Sequence, residues 1–244
     1  MNWPKDIPLN NSSKANQRAR HAAHHILNNS CSSCDPVFIH SHAGNGKTHL
    51  LHAIGNRVKR DSPDMRVLQI HTQRFVAELR RAIRQNTIDE FRAFFQGLDV
   101  LLIDDIEFLA GKERSQRELS YILGALVKNQ KQIVITGQTT PQEAKGINEH
   151  LKFILDSGVT VYMASPDLMT RIEILKRKAR DFDCELSDDV AFLIANSLYA
   201  CVRELESVLR RVVAHAVFEG KSITLDTTRR VLAKQGYIRL EEAV

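Results

Sequence analysis

The 244-residue chain contains no apolar run that approaches a bilayer span, which takes about 20 consecutive apolar residues. Its first ten residues are polar and include Lys5 and Asp6, so the apolar stretch of a secretory signal is missing as well. A soluble cytoplasmic protein with no membrane partner is expected. Cysteine is scarce, with four in the whole chain, too few and too dispersed for a disulfide framework. Cys31 and Cys34 make one Cys-x-x-Cys, but Cys184 and Cys201 lie far away and apart, so the four ligands of a structural zinc site do not assemble. His21 and His25 sit one helical turn apart without a third ligand and read as solvated helix residues. No internal repeat or low-complexity tract interrupts the chain. The charge is not strongly one-sided: a formal +5 permits nucleic acid as a partner without requiring it.

What is present suits a globular α/β protein. With 43% hydrophobic residues, the chain can build one large domain or a domain with an appended subdomain. Five short β-rich runs stand out: Val37–His40, Arg66–His71, Val100–Asp104, Gln132–Thr136 and Val159–Met163. The third begins Val100-Leu101-Leu102-Ile103, apolar at every position, as a strand covered on both faces requires. Helical patterns lie between the runs, and that alternation predicts a parallel sheet with right-handed crossovers. Thr87 with Glu90, and Thr140 with Glu143 behind Pro141, read as capping boxes that open helices. Ser165 before Pro166 and Ser187 before Asp188 and Asp189 mark two more helix starts. After Met163 the strand signals nearly stop. Helices are predicted over 166–180, 187–198, 202–218 and 226–234, with Gly220 and Gly236 as stops for the last two. The expected organisation is an N-terminal helix (15–27) and loop within 1–35, an α/β nucleotide-binding part over 36–165, and an all-helical lid over 166–244.

The firmest chemistry lies at Ser41-His42-Ala43-Gly44-Asn45-Gly46-Lys47-Thr48. A triphosphate needs inward-pointing backbone N–H groups, a helix N-terminus and a point cation. This loop joins a predicted strand to a predicted helix and offers glycines for close approach, Lys47 for the β- and γ-phosphates and Thr48 for Mg²⁺. Ser41 stands where the pattern usually has its first glycine. Val100-Leu101-Leu102-Ile103-Asp104-Asp105 supplies the acidic partner, since the C-terminal ends of parallel strands gather at the ligand crevice. Asp104 would orient Mg²⁺ directly or through water, and Asp105 would position or deprotonate the attacking water.

These stretches carry a resemblance. Gly46–Ala53 (Gly-Lys-Thr-His-Leu-Leu-His-Ala), Leu101–Ile106 (Leu-Leu-Ile-Asp-Asp-Ile), Lys112–Gln116 (Lys-Glu-Arg-Ser-Gln) and Val202–Glu206 (Val-Arg-Glu-Leu-Glu) resemble the AAA+ module of the bacterial replication initiator DnaA, a branch that includes short regulatory relatives such as Hda. The resemblance runs from about Ser13 to Leu232. It implies an AAA+ P-loop fold of five parallel strands plus a helical lid, with ATP or ADP and Mg²⁺ bound between them. Gly44, Asn45, Gly46, Lys47, Thr48 and His49 would contact the nucleotide. Arg203 matches the lid's sensor arginine; on its own it would read as a helix-surface residue pairing with Glu206. The family's C-terminal helix-turn-helix domain and N-terminal partner-binding domain find no match, as in either a short paralogue or an excised fragment.

The resemblance also shows departures. Gln138 stands where the initiator has an acidic sensor residue. Ile154 stands in place of an arginine finger, a group typically worth about 10³–10⁵ in phosphoryl-transfer rate, and His150 replaces a second arginine. Slow or absent hydrolysis is therefore expected. In the family, the helix here spanning Arg74–Arg84 lines a channel for single-stranded DNA, and Val76 and Arg114 match strand-contacting positions. The helix is amphipathic, with Phe75, Val76, Leu79, Ala82 and Ile83 on one arc and Arg74, Arg80, Arg81 and Arg84 opposite. Those charges suit backbone phosphates or a solvated face balanced by Glu78, Asp89 and Glu90. Three functions stay open: an ATP-binding protein acting in or regulating replication initiation, with nucleotide-dependent self-assembly; a nucleotide-stabilised adaptor docking on an initiator, clamp or helicase; and a helicase-loading or transposase-assisting ATPase.

Overall fold

A computed structural model describes residues 35–198, 201–220 and 222–238. The expected helix at 15–27, Cys31, Cys34, His21 and His25 lie outside these described residues. The chain divides into two compact units, one comprising 35–42 and Lys47–Met163, the other Ala43–Gly46 and 164–238.

The first unit is built on five strands: β1 (Val37–His40), β2 (Val67–His71), β3 (Val100–Asp104), β4 (Gln132–Gly137) and β5 (Val159–Tyr162). They run parallel in the order β2-β3-β4-β1-β5. Five α-helices belong to it: α1 (Lys47–Asp61), α2 (Thr72–Arg84), α3 (Ile88–Gln96), α4 (Glu113–Lys128) and α5 (Glu149–Asp156). Strand β3 explains the arrangement. Its side chains alternate between two faces, and both faces are covered. Val100 and Leu102 pack with Leu51, Ile54 and Val58 of α1. Leu101 and Ile103 pack with Phe75 and Leu79 of α2 and Leu119 and Ile122 of α4. All five residues of β3 are buried, so the uninterrupted apolar run is the signature of a two-sided core.

Local capping signals did not all become helices. Thr140 N–H and Oγ1 both donate to Glu143 Oε2, at 3.3 and 2.8 Å, yet Pro141–Glu143 form only a turn. Tertiary hydrogen bonds decide the path of this segment. Gln116 donates to Gly146 O at 2.8 Å and accepts from Asn148 N–H at 2.7 Å, while Gly146 O also accepts from Gly111 N–H at 3.0 Å. The helix comes later, as α5, where the Asn148 side chain caps Leu151 N–H. Thr87 precedes α3 but makes no side-chain cap bond. Its φ/ψ of −110° and 33° lie outside the extended region a cap adopts, because Asn86 turns through φ 56° and Thr87 N–H donates to Ala82 O in a tight connection from α2.

The second unit holds α6 (Leu168–Arg180), α7 (Asp188–Ser197), α8 (Val202–Glu219) and α9 (Leu225–Lys234). Leu175, Ile194, Leu205, Leu209 and Leu232 lie in its core. The start of α6 differs from the Ser165 expectation. The cap falls on Asp167, two residues later, whose extended backbone and side chain accepting Thr170 N–H at 2.9 Å meet the requirements of a cap. That backbone bond, with the Thr170 hydroxyl, holds the Asp167 carboxyl below its ordinary pKa. Asp167→Ala is expected to lower stability by about 1 kcal/mol in urea unfolding at neutral pH. Because the folded pKa is depressed, the contribution is present above the ordinary carboxylate range and is lost as pH falls through the folded value. Helix α8 ends at Gly220, whose φ of 63° lets its N–H cap the last turn. Thr224 rather than Asp226 opens α9, through a reciprocal box with Thr227.

Candidate nucleotide-binding site

Strand β1 ends at His40, and the next residue begins the loop. Ser41 is fully buried and its N–H donates to Gly137 O at 3.2 Å, fastening the loop to the end of β4. No positive φ is recorded at Ser41, so the missing first glycine leaves the turn intact. The positive φ values fall on Gly44 (83°) and Gly46 (97°), conformations in which a side chain is strained. Gly44 is also sterically required. Within the second unit a Cβ there would lie 2.6 Å from Cys201 Sγ and 3.2 Å from Arg203 Cβ, and Gly44 O accepts the Arg203 N–H at 3.2 Å.

Helix α1 begins at Lys47, and the N–H groups of a first helical turn have no intrahelical acceptors. The Lys47 ammonium folds back to donate to Ser41 O at 2.8 Å and His42 O at 3.3 Å. Thr48 Oγ1 donates to Asp104 Oδ2 at 2.6 Å. The other Asp104 oxygen, Oδ1, accepts from Thr136 Oγ1 at 2.6 Å, and its carbonyl accepts from Thr72 Oγ1 at 2.8 Å. Thr136 Oγ1 in turn accepts Asp105 N–H at 3.1 Å. Asp104, at the end of β3, is therefore fixed from the first residue of α2 and from β4, and meets the first turn of α1. A hydroxyl and a carboxylate side by side are hard oxygen donors of the kind that hold Mg²⁺ together with phosphate oxygens and water. Glycine-bearing backbone, a helix N-terminus and an ammonium suit the phosphates themselves.

Asp105 goes another way. Its φ of 55° turns the chain out of the sheet into a short 3₁₀ turn, Ile106–Leu109, a left-handed conformation that Asp tolerates better than most residues. Its Oδ2 lies 3.3 Å from His71 Nε2. Lys47, Thr48 and Asp104 are thus brought together, while Asp105 pairs with a residue the sequence reading did not single out. In the sequence Thr136 is legible only as the last residue of the fourth β-rich run. His49 is half-buried on the first turn of α1. Two imidazoles nearby are held below their ordinary pKa. Burial lowers His40, with a smaller opposing pull from Glu143 and a further push from Lys47; burial lowers His52 against the pull of Asp104.

Arg203 is exposed at the start of α8. Glu206 lies 3.2 Å from Lys178. Gln138 N–H donates to Glu107 Oε1, which ties the end of β4 to the turn after β3. Ile154 is partly buried against the first unit's core, beside buried Leu151 and Leu155, whereas His150 is exposed. On α2, Phe75, Val76, Leu79 and Ala82 are buried and Arg74, Arg80, Arg81 and Arg84 exposed. Val76 is a core residue at 5% exposure, so the arginines carry that helix's accessible face. Arg114 is exposed on the first turn of α4.

This strand order, the Gly-Lys-Thr loop after β1 and the aspartate ending β3 define a P-loop nucleotide-binding module of the AAA+ class. The model of the bacterial DnaA ATPase domain matches residues 11–162, and the chain belongs to that family. It is 43% identical over 219 residues to the chromosomal replication initiator protein DnaA of Burkholderia mallei, an alignment covering 90% of this chain and 41% of that protein. The chain thus spans about two fifths of the length of the curated relatives it matches. Domain III of Thermotoga maritima DnaA superposes with a TM-score of 0.84 at 30% identity, covering 93% of this chain and 94% of the other. A DnaA bound to AMPPCP and single-stranded DNA superposes with a TM-score of 0.72 at 32% identity, covering 82% and 62%. No helix among the described residues is long and apolar enough to cross a membrane.

Proposed function

We propose that this chain is an ATP- and ADP-binding module that acts in, or regulates, the initiation of chromosomal replication, and that it hydrolyses ATP slowly. The observation that carries the nucleotide reading is the contact of Thr48 with Asp104, beside a loop whose lysine is already folded over it. In this reading Gly44–His49 cradle the phosphates, Arg203 is assigned to them as well, and Thr48 and Asp104 hold Mg²⁺. The ion, when bound, neutralises charge on the β- and γ-phosphates. Asp105 addresses the attacking water. The α/β part over 36–165 is the nucleotide-binding unit and 166–244 its lid.

Slow turnover is supported by residue chemistry. Ile154 is apolar and packs inward, so it offers no cation to a neighbouring subunit's nucleotide. Gln138 carries no charge. The same observation at Ile154 favours a second reading, an adaptor stabilised by nucleotide that docks on an initiator, clamp or helicase without useful chemistry. The exposed arginines of α2 and Arg114 support contact with single-stranded DNA, whose phosphates they suit.

Sedimentation of the protein with ATP, ADP or neither, with and without single-stranded DNA, separates these readings. The initiator-like reading expects ATP-dependent assembly on the strand, weakened by salt as phosphate contacts are. A monomer indifferent to nucleotide and strand would sink it and favour the adaptor.

A further inference from the structure

Strand β4 ends on a peptide group that is bound on both sides. The Gly137 carbonyl accepts the Ser41 N–H at 3.2 Å, and the N–H of the same peptide group, that of Gln138, donates to Glu107 Oε1. Glu107 reaches this point from the 3₁₀ turn after β3, where Ile106 and Leu109 to either side are buried in the core. The approach is close enough to require glycine. A Cβ on Gly137 would lie 3.0 Å from Glu107 Oε1 and 2.6 Å from Phe38 Cζ. The second carboxylate oxygen, Oε2, is buried and has no hydrogen-bond partner among the described residues. A buried anion with one oxygen unsatisfied is costly, whereas glutamine would offer the same acceptor without the charge. The charge therefore calls for a role.

Ser41 supplies one. Its N–H is held by Gly137 O, and its own carbonyl accepts the Lys47 ammonium at 2.8 Å. The ammonium, Ser41, the Gly137–Gln138 peptide and the Glu107 carboxylate thus form one series, in which every donor points from the cation towards the anion. Hydrogen bonds in such a series polarise one another, and a bond to an ionised acceptor is about twice as strong as a neutral one. We infer that Glu107 is a positioning residue for the phosphate loop. Through the Gly137–Gln138 peptide its carboxylate fixes the Ser41 backbone, where the loop leaves β1 and where Lys47 is held. All of these groups belong to the first unit. A carboxylate that merely stood near the loop would repel a triphosphate, and its removal would tighten binding; a positioning carboxylate has the opposite sign. The functional meaning of the coupling rests on the proposed binding of nucleotide by the loop. The coupling itself does not.

Amide hydrogen exchange of the full chain without nucleotide reads the coupling. In Glu107→Ala the Ser41 amide is expected to gain about tenfold in exchange rate relative to the Leu102 amide in the middle of β3. Glu107→Gln keeps an acceptor oxygen and should fall between Glu107→Ala and wild type. Should Glu107→Ala fail to fold, Glu107→Gln against wild type carries the comparison. A Ser41 amide that keeps its wild-type rate in the folded variant, or that quickens only in step with Leu102, overturns the inference. ATP titration with Mg²⁺, read at the amides of Gly44–Thr48, then tests the consequence for the loop. Glu107→Ala is expected to weaken ATP binding about tenfold. Tighter binding would show that the carboxylate acts by repulsion alone and would overturn the positioning role. Absence of ATP binding by the wild-type protein would refute the nucleotide reading, while the Ser41 exchange rates would still decide the coupling.

Discussion

Lys47→Ala is expected to lower ATP affinity by about 10- to 150-fold, the loss of one hydrogen bond from a charged donor at about 1.5–3 kcal/mol. The lysine is 5% exposed, and its ammonium lies against the carbonyls of Ser41 and His42. It is therefore preorganised over the loop, and little rotamer freedom remains to be lost when phosphate replaces a carbonyl as partner. Isothermal titration with ATP and Mg²⁺ measures the change. Lys47→Arg distinguishes charge from shape, because a guanidinium keeps the charge but not the compact point geometry. It should recover only part of the affinity. Wild-type affinity in Lys47→Ala would remove this residue from the site.

Thr136→Val is expected to be the costliest single substitution around Asp104. Valine keeps the shape and removes the hydroxyl. Thr136 is fully buried, and its oxygen both donates to Asp104 Oδ1 and accepts from Asp105 N–H. Two buried polar groups lose their partner at once, at about 1–3 kcal/mol for each left unsatisfied. A loss of about 2–4 kcal/mol in urea unfolding is the expected outcome. The Mg²⁺ dependence of nucleotide binding should weaken with it, since the Asp104 carboxylate loses the bond that holds its Oδ1. Thr136→Ser should retain most of the stability, because it keeps the hydroxyl. A Thr136→Val protein as stable as wild type would show that water replaces the hydroxyl and that Asp104 does not depend on it.

Much of this site was legible because its chemistry is local in sequence. The Gly-Lys-Thr triplet follows a strand, and Asp104 ends an apolar run that only a two-sided core explains. The residues that escaped notice act across the sheet. Thr136 on β4 is an ordinary strand threonine until β4 is placed next to β3. His71 on β2 caps a helix with a residue type that carries no capping signal. The Thr140–Glu143 pair errs in the other direction. The Glu143 carboxylate reaches back to Thr140 N–H as the local pattern predicts, but the Thr140 hydroxyl donates to that carboxylate instead of capping Glu143 N–H; Gln116 and Gly146 fix the backbone there and the helix waits until Asn148. Periodicity located Val76 on the apolar arc of α2, and it is a core residue; the charged arc opposite is the face that meets solvent.

In the proposed function this pocket is occupied by nucleotide far more readily than it turns nucleotide over. Equilibrium ATP affinity and single-turnover hydrolysis, measured with Mg²⁺ on one preparation, test it most directly. Saturable binding that is weakened in Lys47→Ala is the expected result, with the bound ATP recovered largely intact. Hydrolysis by the isolated protein at about 1 s⁻¹ or faster, within the range of ordinary enzymes, would contradict it.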